Sequence, residues 1–127
     1  MPILTSARTR CTRWCTSIAV VLLFLAHPLY AAEDARIARG RDLAHDVYKG
    51  NCLACHRIPG DSKAITLATI GPPLIQMRER FPDRAALRSQ IWDSTVRNAQ
   101  TIMPPFGRHK VLTEEEIDLI VDYVYQY

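Results

Sequence analysis

Strand signals are scarce in this chain. It has few β-branched runs, no alternating apolar and polar pattern, and no Asn-Gly turn between apolar segments, which argues against a fold of hairpins. It also lacks an apolar run of about 20 residues, the length a spanning helix needs. The longest, "IAVVLLFLA" (Ile18–Ala26), is much shorter. Arg8, Arg10 and Arg13 precede that run, and Pro28 and the small residues of "LYAAEDA" follow it, the layout of a secretory signal peptide. Residues 1–31 are therefore read as a leader and 32–127 as the domain, with cleavage after Ala31 or Ala32; an uncleaved anchor is the alternative. No two arginines are adjacent in the leader, which favours the general export route and a periplasmic destination.

An excess of charge is missing too. Residues 1–32 hold three arginines and no acid, so of the chain's 16 Lys and Arg and 13 Asp and Glu, 13 of each remain beyond them. Nothing in the mature chain argues for nucleic acid or an anionic membrane. Of the four cysteines, Cys11 and Cys15 leave with the leader, and Cys52 and Cys55 stay.

What is present reads as helix. One segment, about Glu33–Tyr48, opens with Glu33 and Asp34 and sets Ile37, Ala44, Val47 and Tyr48 near one face. A second follows Pro82 in "DRAALRSQIWDSTVRN", capped by Asp83, with Ala86, Leu87, Ile91 and Val96 as its stripe. The third carries a capping box, Thr113 with Glu116, ahead of Ile117, Ile120, Val121 and Val124. Two proline-rich loops, "RIPGDSKAITLATIGPPL" and "TIMPPFGRHKV", lie between. The expectation is a small all-α fold of about three main helices whose long loops wrap something other than protein. Glu114, Glu115 and Glu116 read as acids favourable to the helix dipole, and Arg84 and Arg88 as a solvated face.

The chemistry sits in "GNCLACHRIPG", residues 50–60. Cys52, Cys55 and His56 form C-x-x-C-H, the attachment signature of a c-type haem. One helical turn can offer two thiols to the porphyrin edge and the next imidazole to the iron. A zinc site would need four ligands, and an adjacent Cys-His pair cannot easily fill two corners of a tetrahedron. A thioredoxin-like pair would need a βαβ context. Candidates for the sixth iron ligand are Met103, Met77, His109 and His45. Met103 is favoured because Pro104 and Pro105 stiffen its loop. His45 shares a chain segment with the proximal His and cannot easily reach the opposite face. A His/Met pair raises the reduction potential and leaves no open position.

C-x-x-C-H, a Gly-Pro-Pro-Leu loop and Met-Pro before a last helix resemble class I cytochromes c. In such proteins the Gly-Pro loop turns a carbonyl to the proximal imidazole, which would make Pro72 the acceptor and pack Leu74 on the ring. "GNCLACHRIPG", "IGPPL", "RFPDRAALRSQIWDST" and "MPPFGRHKVLTEEEIDLIVDYVY" together resemble the SoxX family, small cytochrome subunits of bacterial sulfur oxidation, over about residues 37–127. The resemblance implies one haem c on Cys52 and Cys55, iron ligands His56 and Met103, and a larger SoxA-like cytochrome as partner. It implies oxidative joining of thiosulfate to a cysteine of a SoxY-type carrier, with electrons passing on to a downstream small cytochrome. In that heterodimeric thiosulfotransferase this chain would be a non-catalytic relay. The alternatives are a free-standing electron shuttle and, more distantly, a haem-based gas sensor.

Overall fold

The computed structural model describes residues 30–127, and these contain helices, turns and no strand. Most of the leader expected at 1–31, with Cys11 and Cys15, lies outside the described residues. Ala35–Tyr127 form one compact unit. None of the described helices is long and apolar enough to cross a membrane.

The chain is helical over 30–45 (α1), Met77–Arg80 (α2), Arg84–Trp92 (α3) and Glu114–Val124 (α4), with 3-10 turns at Cys52–Ala54 and Ser94–Val96. The expected all-α, cytochrome c-like architecture is the one observed. α4 is the hub. Its box is closed by Glu116 N donating to Thr113 Oγ1 at 3.2 Å and Thr113 N donating to Glu116 Oε2 at 2.9 Å. Ile117, Ile120, Val121 and Val124 are all buried, as the periodicity predicted, and Leu119 and Tyr123 join them.

α1 crosses α4 at Gly40. A Cβ there would run into the backbone carbonyl of Leu119, so only glycine lets the two helices approach this closely. α1 stops at 45, three residues before the expected end. The Asp46 carboxylate accepts from Tyr48 N at 2.8 Å, and Gly50 N donates to Leu43 O at 3.1 Å, so turn bonds replace the helical ladder. Val47 and Tyr48, expected on the buried face, are exposed as a result.

α3 packs on α4 with Leu87 and Ile91 buried. Asp83 Oδ1 caps it by accepting from Ala85 N at 2.9 Å. It ends well short of the expected Asn98, because Asp93 turns its carboxylate to Thr95 N, 3.0 Å, and starts a separate 3-10 turn. Val96 leaves the stripe and is exposed. Arg84 and Arg88 correct another expectation, since both are tied to α4. Arg84 pairs with Asp122, and Arg88 with Glu114 and, at 2.6 Å, Asp118. Arg36 of α1 reaches the same buried Asp122 at 2.5 Å, which joins three helices at one carboxylate. Glu115 and Glu116 are likewise paired, with Arg39 and Lys49.

Candidate haem site

Asn51 takes a left-handed conformation (φ 45°) and starts the turn that carries Cys52 and Cys55. His56 N and Cys55 N both donate to Cys52 O, at 2.8 and 3.2 Å, so the motif is one tight turn. Both thiols are free. Burial pushes the Cys52 thiol up to about 12, the opposite direction to the lowered pKa of a reactive thioredoxin-type cysteine.

The first proline-rich loop is laid against this turn by its backbone. Gly71 N donates to Cys55 O and Leu74 N to Arg57 O, each at 2.8 Å, while Thr66 Oγ1 donates to Leu53 O at 2.9 Å. That register brings Pro72 O within 2.7 Å of His56 Nδ1. A carbonyl only accepts, so Nδ1 carries the proton and the Nε2 lone pair is left for a metal. A Cβ on Gly71 would collide with the His56 ring, so the glycine is needed where the loop closes on the imidazole. Leu74 is half-buried and packs against the core.

Met103 is held from the other side of the chain. Its amide donates to Thr101 Oγ1 at 3.2 Å, and its carbonyl accepts from fully buried Ser94 Oγ at 2.6 Å. Farther along, Gly107 N and Arg108 N both donate to Trp92 O, and a Cβ on Gly107 would strike the indole. The "MPPFG" loop is therefore seated on the end of α3 and the turn that follows it. Two of the other candidates, Met77 and His45, are engaged elsewhere. Met77 is almost wholly buried, with Arg80 Nη1 3.6 Å from its sulfur. His45 Nε2 lies 3.1 Å from Tyr123 Oη, and His109 sits in the turn after Pro105. Gly71, Gly107, Ser94 and Gln90 were not singled out from the sequence. The signals for the first three were the glycines within "IGPPL" and "PPFG" and the Asp-Ser pair that follows α3; Gln90 carried none.

Two thiols and an imidazole on one turn, with a fixed Nδ1 proton and a flat glycine beside the ring, fit haem c attached by thioether bonds and bound through Nε2. Helices, loops and motif together define a class I c-type cytochrome. Residues 39–124 match the family of cytochrome c oxidase, cbb3-type, subunit III, and the chain belongs to it. It is also 36% identical over 77 residues to a protein of Aquifex aeolicus (strain VF5) named as an uncharacterized lipoprotein, an alignment covering 61% of this chain. The matched part makes up only 36% of that relative's length. Residues 39–124 are thus a c-type cytochrome domain.

Proposed function

We propose that the chain is the single-haem relay subunit of a periplasmic thiosulfate-oxidising complex, with haem c on Cys52 and Cys55 and the iron between His56 and Met103. The observation that best supports this reading is the 2.7 Å contact from His56 Nδ1 to Pro72 O, which leaves the Nε2 lone pair available to iron. Bound haem supplies one-electron ferric–ferrous chemistry. With a thioether in the sixth position nothing is left open for substrate, and the chain's own residues only hold, orient and shield.

The SoxX resemblance of "RFPDRAALRSQIWDST" and "MPPFGRH" supports a SoxA-like larger cytochrome as partner. Arg8, Arg10 and Arg13 ahead of Ile18–Ala26 support export to the periplasm. Joining thiosulfate to a carrier thiol releases two electrons and one proton, so a single-haem subunit takes the electrons one at a time and hands each to a downstream small cytochrome. The bond-making step belongs to the partner. The holoprotein is expected to co-purify with a SoxA-like subunit and to be reduced by thiosulfate only when that subunit and the carrier are present. A monomer that stays monomeric beside them, in a mixture that consumes no thiosulfate, overturns the assignment.

A second reading, a free-standing shuttle that feeds a terminal oxidase, is favoured by the family match over 39–124. It expects fast, salt-sensitive electron exchange with oxidase-type partners and no stable heterodimer. Failure of carbon monoxide to bind the ferrous protein at neutral pH excludes gas sensing under either reading.

A further inference from the structure

Among the described residues only three polar or charged ones are buried, Asp93, Ser94 and Asp122. Asp122 is the carboxylate that joins the helices. The other two are neighbours just past α3, and both hold the loop that carries Met103. Ser94 Oγ donates to Met103 O at 2.6 Å, and Arg108 Nη1 lies 3.1 Å from Asp93 Oδ2. Between them Gly107 N and Arg108 N donate to Trp92 O at 3.1 and 3.2 Å, while Gln90 Nε2 lies 3.8 Å from Met103 Sδ. The loop is thus gripped at both ends, by Ser94 at the methionine and by Asp93 at Arg108, five residues on.

Asp93 Oδ1 accepts from Thr95 N at 3.0 Å and from Thr95 Oγ1 at 2.5 Å, and Arg108 Nη1 also lies 3.4 Å from that hydroxyl. The Thr95 hydroxyl, acting against burial, holds the Asp93 carboxyl below the ordinary 3.8, with Thr95 N, Arg108 and His109 adding to it. The carboxylate is therefore ionised at neutral pH, and Arg108 is the cation within ion-pair distance of it. A buried carboxylate stripped of its counter-ion costs free energy that is recovered when it reaches water. We propose that Asp93 and Arg108 are the latch of the Met103 loop, a positioning pair that keeps the sulfur at the iron and makes opening of the sixth position salt-sensitive. This rests on the reading of Met103 as sixth ligand. Arg108 meets Asp93 only while the loop is seated, because its own amide is bonded to Trp92 O, one residue before the carboxylate. Opening the loop separates the pair, returns both charges to water and frees the sulfur. Arg108 is about half exposed, so solvent limits the strength of the pair and salt weakens it further.

The test uses the full ferric holoprotein, with imidazole as the probe of the sixth position. Imidazole enters only after Met103 leaves, so the rate at saturating imidazole measures loop opening, followed as loss of the sulfur-to-ferric-iron charge-transfer band. Arg108→Gln leaves Asp93 buried without a counter-ion and is expected to speed the exchange about threefold to tenfold at low salt. Arg108→Lys, which keeps the charge, should stay nearer the wild type. Asp93→Asn keeps an oxygen for Thr95 and buries no charge, so its effect is smaller, and adding Arg108→Gln to it should change little. High salt should bring the wild type toward the Arg108→Gln rate and barely move that variant. Arg36→Gln is the control: it removes an ion pair from Asp122 and lowers Tm without touching the loop. Thermal unfolding of the same samples establishes that each variant folds. Folded variants that exchange at the wild-type rate, effects of Asp93→Asn and Arg108→Gln that simply add, or an equal acceleration by Arg36→Gln overturn the proposal. Failure of the underlying reading looks different: the charge-transfer band would be missing from the wild type or would survive Met103→Ala.

Discussion

Gly71 shows how much of this site depends on one missing atom. A Cβ at that position meets the His56 ring, and the ring cannot yield without breaking the bond from Nδ1 to Pro72 O. Gly71→Ala is expected to leave the helices intact, because residue 71 lies in a loop, yet to tilt the imidazole. The ferric optical spectrum should gain a high-spin component while far-UV circular dichroism stays unchanged; a purely low-spin spectrum would contradict the geometry. At this scale the sequence was most legible. C-x-x-C-H carries its chemistry in its spacing, and Pro72 could be named because "IGPPL" resembles the Gly-Pro loop of class I cytochromes c. The glycine's role was not legible, since glycine before two prolines reads equally well as an ordinary turn.

Among the elements, α4 tests the weight of local signals against packing. Thr113→Ala opens the capping box and is expected to cost about 1 kcal/mol. For a domain of this size that lowers Tm by about 4–8 °C, measurable by calorimetry of the holoprotein. Gly40→Ala makes the opposite comparison. In an isolated helix the change would gain about 1 kcal/mol from propensity. Here the new methyl meets the Leu119 carbonyl across the α1–α4 crossing, and overpacking of this kind costs about 1–3 kcal/mol. Net destabilisation is expected, and a variant more stable than wild type would show that the helices can move apart. The capping box was visible from the sequence because its partners are three residues apart. The early ends of α1 and α3 were hidden, because apolar periodicity runs on through Val47 and Val96 while Asp46 and Asp93 take the backbone bonds for turns.

For the molecule as a whole, ion pairs and hydrogen-bonded carboxylates set its pH range. Glu116 accepts from Lys49 Nζ at 2.8 Å and from Thr113 N, which holds its carboxyl below the ordinary 4.5. Burial pushes Asp61 up, but hydrogen bonds from Tyr123 and Lys63 N, with His45 and Arg41 nearby, outweigh it and leave it below 3.8. Folded pKa values below the unfolded ones add stability that is present above about pH 4.5 and is lost as pH falls through the folded values. Tyr123 runs the other way: burial and its bond to Asp61 push it above the ordinary 10. Its contribution is complete below pH 10 and is lost at higher pH. Tm should therefore fall at acid and at alkaline pH, and Glu116→Gln should make the acid limb shallower below about pH 4.5. Asp122 adds a salt-sensitive term. Its two arginine partners are each about half exposed, so after solvent screening Asp122→Ala is expected to cost only about 1–2 kcal/mol, less at high salt. Neither arginine could be matched to Asp122 beforehand, as they lie 86 and 38 positions away along the chain. The sequence alone determined the cofactor chemistry, the helical class and the face that α4 buries, because each is written in residue types at short, regular spacing. Only the tertiary structure decided that Met77 belongs to the core, that Arg84 and Arg88 bind α4, and that the Met103 loop rests on Trp92, Ser94 and Gln90. Those outcomes depend on contacts between segments far apart in the chain, which local periodicity and spacing do not encode.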